Sequence, residues 1–152
     1  PNSTAKSAST PTVTLSSAKI CSDVYSGRSD YQLRVKVDEV SYNITNNTSN
    51  VNWSIYRYST GGYNSWDQTK TWPYNATING NSNSGTSNSV VFKTNDSPGV
   101  TEAIDSGTIT VTHSADGTKT INFSGYDGTS GNKSVIFGVA SCSSTYTLSD
   151  LR

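Results

Sequence analysis

Methionine is missing from this chain, histidine occurs once, glutamate and cysteine occur twice each, and charged residues make up only 14% of 152 positions. Each scarcity removes a class of chemistry. One histidine and two cysteines fall short of the roughly four paired Cys or His ligands that a structural zinc site uses. Glycoside hydrolysis needs two carboxylates facing each other across the scissile bond. Here Glu39 and Glu102 stand far apart in sequence and most aspartates fall in turn-like stretches, so no such pair declares itself. Eleven Lys and Arg balance eleven Asp and Glu, and the basic residues are scattered from Lys6 to Arg152, which leaves no footprint for nucleic acid or an anionic membrane. No apolar run is long enough to span a bilayer, and the opening residues lack the basic and apolar blocks of a signal peptide.

What is abundant is Ser, Thr and Asn. Only 32% of residues are hydrophobic, yet the polarity comes from uncharged hydroxyls and amides rather than from the charge runs of disordered segments. That composition, at this length, points to one folded domain with a neutral surface. Residues 1–11, rich in Ser and Thr without a periodic apolar face, read as a linker or frayed arm, and residues 12–152 as a single domain. Cys21 and Cys142 lie near opposite ends of the chain. Bridged, they would staple the first strand to the last; unbridged, they are two buried thiols, and spacing alone does not choose between the two.

Alternation of period two recurs along the chain, and no stretch sustains the helical period. The fold class is therefore all-β. About ten short strands are expected: Thr12–Leu15, Lys19–Ser22, Tyr31–Ile44, Val51–Tyr58, Trp72–Ile78, Ser89–Lys93, Gly107–His113, Lys119–Ser124, Ser134–Ala140 and Thr145–Leu148. Their turn spacing suggests a two-sheet antiparallel β-sandwich, jelly-roll-like. Within the third strand the apolar positions change phase between Val37 and Val40, the mark of a β-bulge near Asp38-Glu39. Residues 107–125 read as a hairpin turning at Asp116-Gly117, Asn79-Gly80 and Asp127-Gly128 read as further turns, and Gly80 to Asn88 reads as a loop. Val100 and Ile104, four apart, hint at one helical turn within Asp96 to Ser106.

All three tryptophans and four of the nine tyrosines crowd between Trp53 and Tyr74. Aromatic rings carry a rigid apolar face and, in Tyr and Trp, a polar tip, which suits ligands that are half apolar and half hydroxyl, as sugars are. Strand parity divides the cluster. Val51, Trp53 and Ile55 share one face and read as core, while Tyr56 and Tyr58 share the other. With Tyr63, Trp66, Asp67 and Trp72 from the long connection that follows, Tyr56 and Tyr58 form the candidate ligand-binding set. Asp67 would serve as a hydrogen-bond acceptor for sugar hydroxyls beside the Trp66 ring.

His113 lies on the inward parity beside Ile109 and Val111, with no nucleophile turn, so it reads as structural rather than catalytic. The run from Asp127 to Asn132 has oxygen ligands at short spacing but too few acids for a calcium loop, and it reads as a turn. Sequons such as Asn43-Ile-Thr45 arise by chance in so Asn- and Ser/Thr-rich a chain. No catalytic residue, cofactor or metal site is expected.

Residues 113–124 (HSADGTKTINFS) and 145–152 (TYTLSDLR), with 51–56 (VNWSIY) and 76–80 (ATING), resemble modules repeated in tail and baseplate proteins of phages that infect lactic acid bacteria and streptococci. The closest likeness is to carbohydrate-binding modules inserted in enlarged distal tail proteins. The resemblance implies a β-sandwich in the virion, at the tail tip or baseplate, that adheres to host cell-wall saccharides. It also implies a homo-oligomeric parent protein, the isolated domain being monomeric. No binding residue is carried over from it, and the cysteine pair belongs to no pattern it supplies. A structural or adhesion decoration domain without a sugar site, and a small glycan hydrolase, are the alternatives.

Overall fold

The alternation that begins near Val51 builds strand β3 (Thr48–Ser59), which turns Ser49, Val51, Trp53, Ile55, Arg57 and Ser59 inward. In this computed structural model, which describes residues 13–61, 73–86, 98–128 and 138–152, the other strands are β1 (Lys19–Tyr25), β2 (Arg28–Asn43), β4 (Pro73–Ile78), β5 (Asn81–Thr86), β6 (Thr101–Thr112), β7 (Thr120–Gly128) and β8 (Val139–Thr147). They form two antiparallel sheets, ordered β1-β2-β3-β6 and β5-β4-β7-β8. The sheets pack as a β-sandwich. No helix among the described residues is long and apolar enough to cross a membrane.

Between the sheets, Tyr31, Leu33, Val35 and Val37 of β2 meet Ile121 and Phe123 of β7 and Ala76 and Ile78 of β4. Burial of this apolar surface supplies the main driving force for folding. Gly125 fixes how closely the layers approach: a Cβ there would lie 2.3 Å from Val35 Cγ2. Along the outer edge Cys21 of β1 and Cys142 of β8 form a disulfide, with Cα atoms 5.7 Å apart, that joins one sheet to the other. The bridged alternative is the one realised.

The phase change in β2 is a bulge, as expected. Glu39 pairs with Val51 and Ser41 with Asn50, leaving Val40 as the extra residue. Asn79 and Gly80, both with positive φ, make the two-residue turn between β4 and β5 that their sequence signals. Trp53 is buried, as its parity required.

Several expectations are corrected. Residues 107–125 are not a hairpin, because β6 and β7 lie in different sheets. The Asp116-Gly117 turn does form, with Gly117 at positive φ, but it carries the chain across the sandwich. Turn chemistry is local and says nothing about which sheet receives the next strand. Thr101 to Ser106 is strand, not helix. The four-residue spacing of Val100 and Ile104 straddles a bulge, since Ile55 pairs with Asp105 and Tyr56 with Ala103. Asn81–Thr86, expected as loop, is strand β5, held to β4 by backbone pairing although it has no apolar residue to mark it. Strand β8 takes in Val139 and Ala140, the end of one expected strand, and runs on without a break to Thr147 of the next; residues 134–137 lie outside the described residues. Val13 to Leu15 makes no strand; this segment is tied instead by the adjoining Ser16 amide, which donates to Glu39 Oε1 at 3.0 Å. Asp127 and Gly128 are the last residues of strand β7, with Asp127 buried; residues 129–132 of the expected turn lie outside the described residues. The expected strand Ser89–Lys93 lies outside the described residues.

Candidate functional site

Even-numbered residues of β3 face away from the core, so Asn52, Ser54, Tyr56 and Tyr58 line up along the outer face of the β1-β2-β3-β6 sheet. Cross-strand register sets their neighbours. Gln32 of β2 stands opposite Tyr58, Arg34 opposite Tyr56, and Lys36 opposite Ser54. On the other side β6 places Thr101 beside Tyr58 and Ala103 beside Tyr56. The small Ala103 and the bulge at Ile104 leave a depression of about 430 Å³, bordered by Lys36, Tyr56, Tyr58, Thr101 and Ser106, with Ser54 among its lining residues. Bulges at such positions re-aim side chains next to sites.

Arg34 sets how the rings are presented. Its guanidinium lies 3.5 Å from the centroid of the Tyr58 ring and donates through Nε and Nη2 to Gln32 Oε1. One face of Tyr58 is therefore taken by a cation–π contact, and Tyr56 is the better stacking platform of the two. Asp105, in register with the inward Ile55, turns toward the other sheet: Tyr74 Oη of β4 donates to Asp105 Oδ2 at 2.6 Å, and the Ser106 amide donates to Oδ1 at 2.8 Å. The hydrogen bond to Asp105, with burial and the nearby negative charge, pushes the Tyr74 phenol up to about 12. The outer face thus offers two half-buried rings with the basic Arg34 and Lys36 beside them.

Of the six expected site residues, Tyr56 and Tyr58 stand together on this face, half-buried. Tyr63, Trp66, Asp67 and Trp72 lie outside the described residues. In chain order they connect β3 to β4, whose near ends, Ser59 and Pro73, bound that segment. Sequence reading missed Arg34 and Lys36. Both were within reach, since they alternate with the buried Leu33, Val35 and Val37 and so must face outward.

A larger depression, about 680 Å³, lies by the disulfide, with Tyr126, Asn75, Ser124, Ser141 and Ser143 among its lining residues. It carries one ring and mostly small hydroxyls. The β3 face, with two rings and the basic Arg34 and Lys36, is the stronger candidate for binding a hydroxylated ligand.

Two polar clusters are buried and serve the fold. Arg57 is fully buried between the sheets, where Nε donates to Asp127 Oδ2 at 2.9 Å and Nη1 pairs with Glu102; Tyr25 Oη donates to the same Asp127 oxygen at 2.6 Å. Burial and the Asp127 carboxylate together push the Tyr25 phenol well above its ordinary value. Near the C-terminus, Glu39 accepts from the Ser16 and Ser149 amides and from the hydroxyls of Ser49 and Ser149. His113 Nε2 lies 2.7 Å from Ser49 Oγ, and its Nδ1 lies 2.8 Å from the Gly117 carbonyl, which can only accept, so Nδ1 carries a proton. Ser49 and His113 are both buried and the carboxylate meets the serine rather than the imidazole. This is a structural knot without the order of a nucleophile, base and orienting acid. Among the described residues no group of three or more His, Cys, Asp or Glu side chains could hold a metal ion.

Residues 21–151 match the model of a family described as "Siphovirus protein of unknown function (DUF859)". No curated protein and no solved structure matches the chain.

Proposed function

The chain belongs to this family of siphovirus proteins, which makes it a bacteriophage protein and suggests a component of the virion; from that premise we propose that it is a non-catalytic carbohydrate-binding module of the phage tail, adhering to saccharides of the host cell wall. One observation carries the reading. Tyr56 and Tyr58 stand side by side on an outward sheet face, over a shallow depression bordered by Lys36, with Arg34 stacked on the Tyr58 ring. Rings that pack on the C–H face of a sugar and polar groups that take its hydroxyls are what such a ligand requires. Tyr63, Trp66, Asp67 and Trp72, in the chain joining β3 to β4, belong to the proposed set by their chemistry.

A non-catalytic role fits the placement of the acids. Glu102 and Asp127 both pair with Arg57 between the sheets rather than facing each other across an open cleft. A shallow site open to water binds single sugars weakly, on the order of millimolar, so adhesion would rely on many copies acting together in the virion.

The test is a fluorescent fusion of the chain incubated with host and non-host bacteria, with free wall sugars as competitors and Tyr56→Ala as the site variant. Selective labelling of the host, blocked by a sugar and lost in the variant, is expected. Labelling indifferent to every sugar would identify a protein-directed adhesion domain, and absence of labelling a decoration domain; either result overturns the reading.

A further inference from the structure

The depression beside Tyr56 and Tyr58 does not end at Ser54. A second one, about 390 Å³, continues along the same face, lined by Asp38, Asn52, Trp53, Gly107 and Thr108, and the two share Lys36, Ser54 and Ser106. Together they make a groove that follows β3 between β2 and β6. Resting on the carbohydrate-binding reading above, we propose that this groove takes an internal stretch of a linear polysaccharide, several linked sugar rings long, rather than a terminal sugar.

Length is the first argument. From Asn52 to Tyr58 is six residue steps of one extended strand, about 20 Å at the usual rise. A single sugar ring would occupy a small part of that track. The groove is open at the sides, as a ligand that enters and leaves along its length requires, and its floor is kept low by Ser54 and Ser106.

Chemistry along the track is the second. At the Tyr58 end stand the two rings with Arg34. Lys36 lies at the middle, bordering both halves. At the far end Thr108 Oγ1 donates to Asn52 Oδ1 at 2.7 Å, next to the outward Asp38 of β2, so hydrogen-bonding groups recur beyond the aromatic end. Gly107 also borders this end; its missing side chain is on the core side, where a Cβ would lie 2.9 Å from the Trp53 indole. Aromatic rings at one end and hydrogen-bonding groups at the other thus share one track, as a chain of sugars presents them.

The test is chain-length dependence. Purified host wall polysaccharide is cleaved and sized into fragments from single sugars to hexasaccharides, and each is titrated into the chain with Tyr and Trp fluorescence as the readout. Affinity is expected to rise by about tenfold or more from single sugar to tetrasaccharide. The double variant Asn52→Ala/Thr108→Ala, at the far end, is expected to remove most of that gain while leaving single-sugar affinity unchanged. Single sugars binding as tightly as tetrasaccharides would overturn the extended groove while sparing the carbohydrate reading. Binding by no fragment would overturn both.

Discussion

Arg57 stands between two surface tyrosines in sequence, yet its guanidinium is fully buried. Burial alone lowers the pKa of a guanidinium, but the Asp127 carboxylate, with Tyr25 and Glu102, more than offsets this and raises it. Removing one partner of a buried ion pair leaves the other uncompensated, at a cost of about 3 to 5 kcal/mol. Arg57→Met is expected to lose that much in urea denaturation, and a loss no larger than that of a surface substitution would contradict the network. Glu39 behaves in the opposite sense. Burial raises its pKa, yet hydrogen bonds from Ser149, Ser16 and Ser49 outweigh burial and leave it below the ordinary value. A depressed folded pKa means that the stabilisation is complete above the ordinary carboxylate range and is lost as pH falls through the folded value. The urea midpoint should therefore drop in that acid window. Glu39→Gln should start about 2 to 3 kcal/mol lower at neutral pH and show less of the drop. Equal pH profiles for the two proteins would refute the assignment. Tyr74 offers a direct probe of the contact between the sheets behind the candidate site: the phenolate absorbance that disappears in Tyr74→Phe should titrate near 12. A value near the usual 10 or so would show that the bond to Asp105 is not made.

At the scale of elements, the disulfide and the two bulges do different work. The bridge from β1 to β8 closes nearly the whole chain, with a sequence separation of 121. Loop-closure arguments put its contribution at about 4 to 5 kcal/mol. Reductant is expected to lower the melting temperature and to raise the intact mass by two hydrogens, whereas an unchanged mass would contradict the bridge. The bulge at Val40 lets one long strand keep Val37 and Glu39 inward and continue to its turn, and its change of phase is visible in the sequence. The bulge at Ile104 was not visible. There the apolar spacing of four imitates a helical turn, and only pairing with β3 shows that Asp105 is returned to the register of Ile55. Strand β5 escaped for a different reason: its Asn, Ser, Gly and Thr side chains carry no period, and only backbone pairing to β4 defines it.

For the molecule as a whole, period-two alternation was enough to foresee an all-β sandwich and to sort Trp53 from Tyr56 and Tyr58, because burial on one face imposes parity on every strand. It could not assign strands to sheets. The Asp116-Gly117 turn looks the same whether it closes a hairpin or crosses the sandwich, and here it crosses. Arg57 shares the parity of Val51 and Ile55, but its charge argued against the core until its buried partners, distant in sequence, were in view. The candidate site was legible in part: the two tyrosines share a face as expected, while Tyr63, Trp66, Asp67 and Trp72 lie outside the described residues. The central claim is that the outer face along β3 binds saccharide. Amide-shift mapping of the isotope-labelled chain, titrated with fragments of host wall polysaccharide, tests it most directly. Shifts concentrated at Arg34, Lys36, Ser54, Tyr56 and Tyr58 are the expected result. Shifts confined to the opposite face, around Ser124, Tyr126 and Ser143, or no shifts in a folded sample, would contradict it.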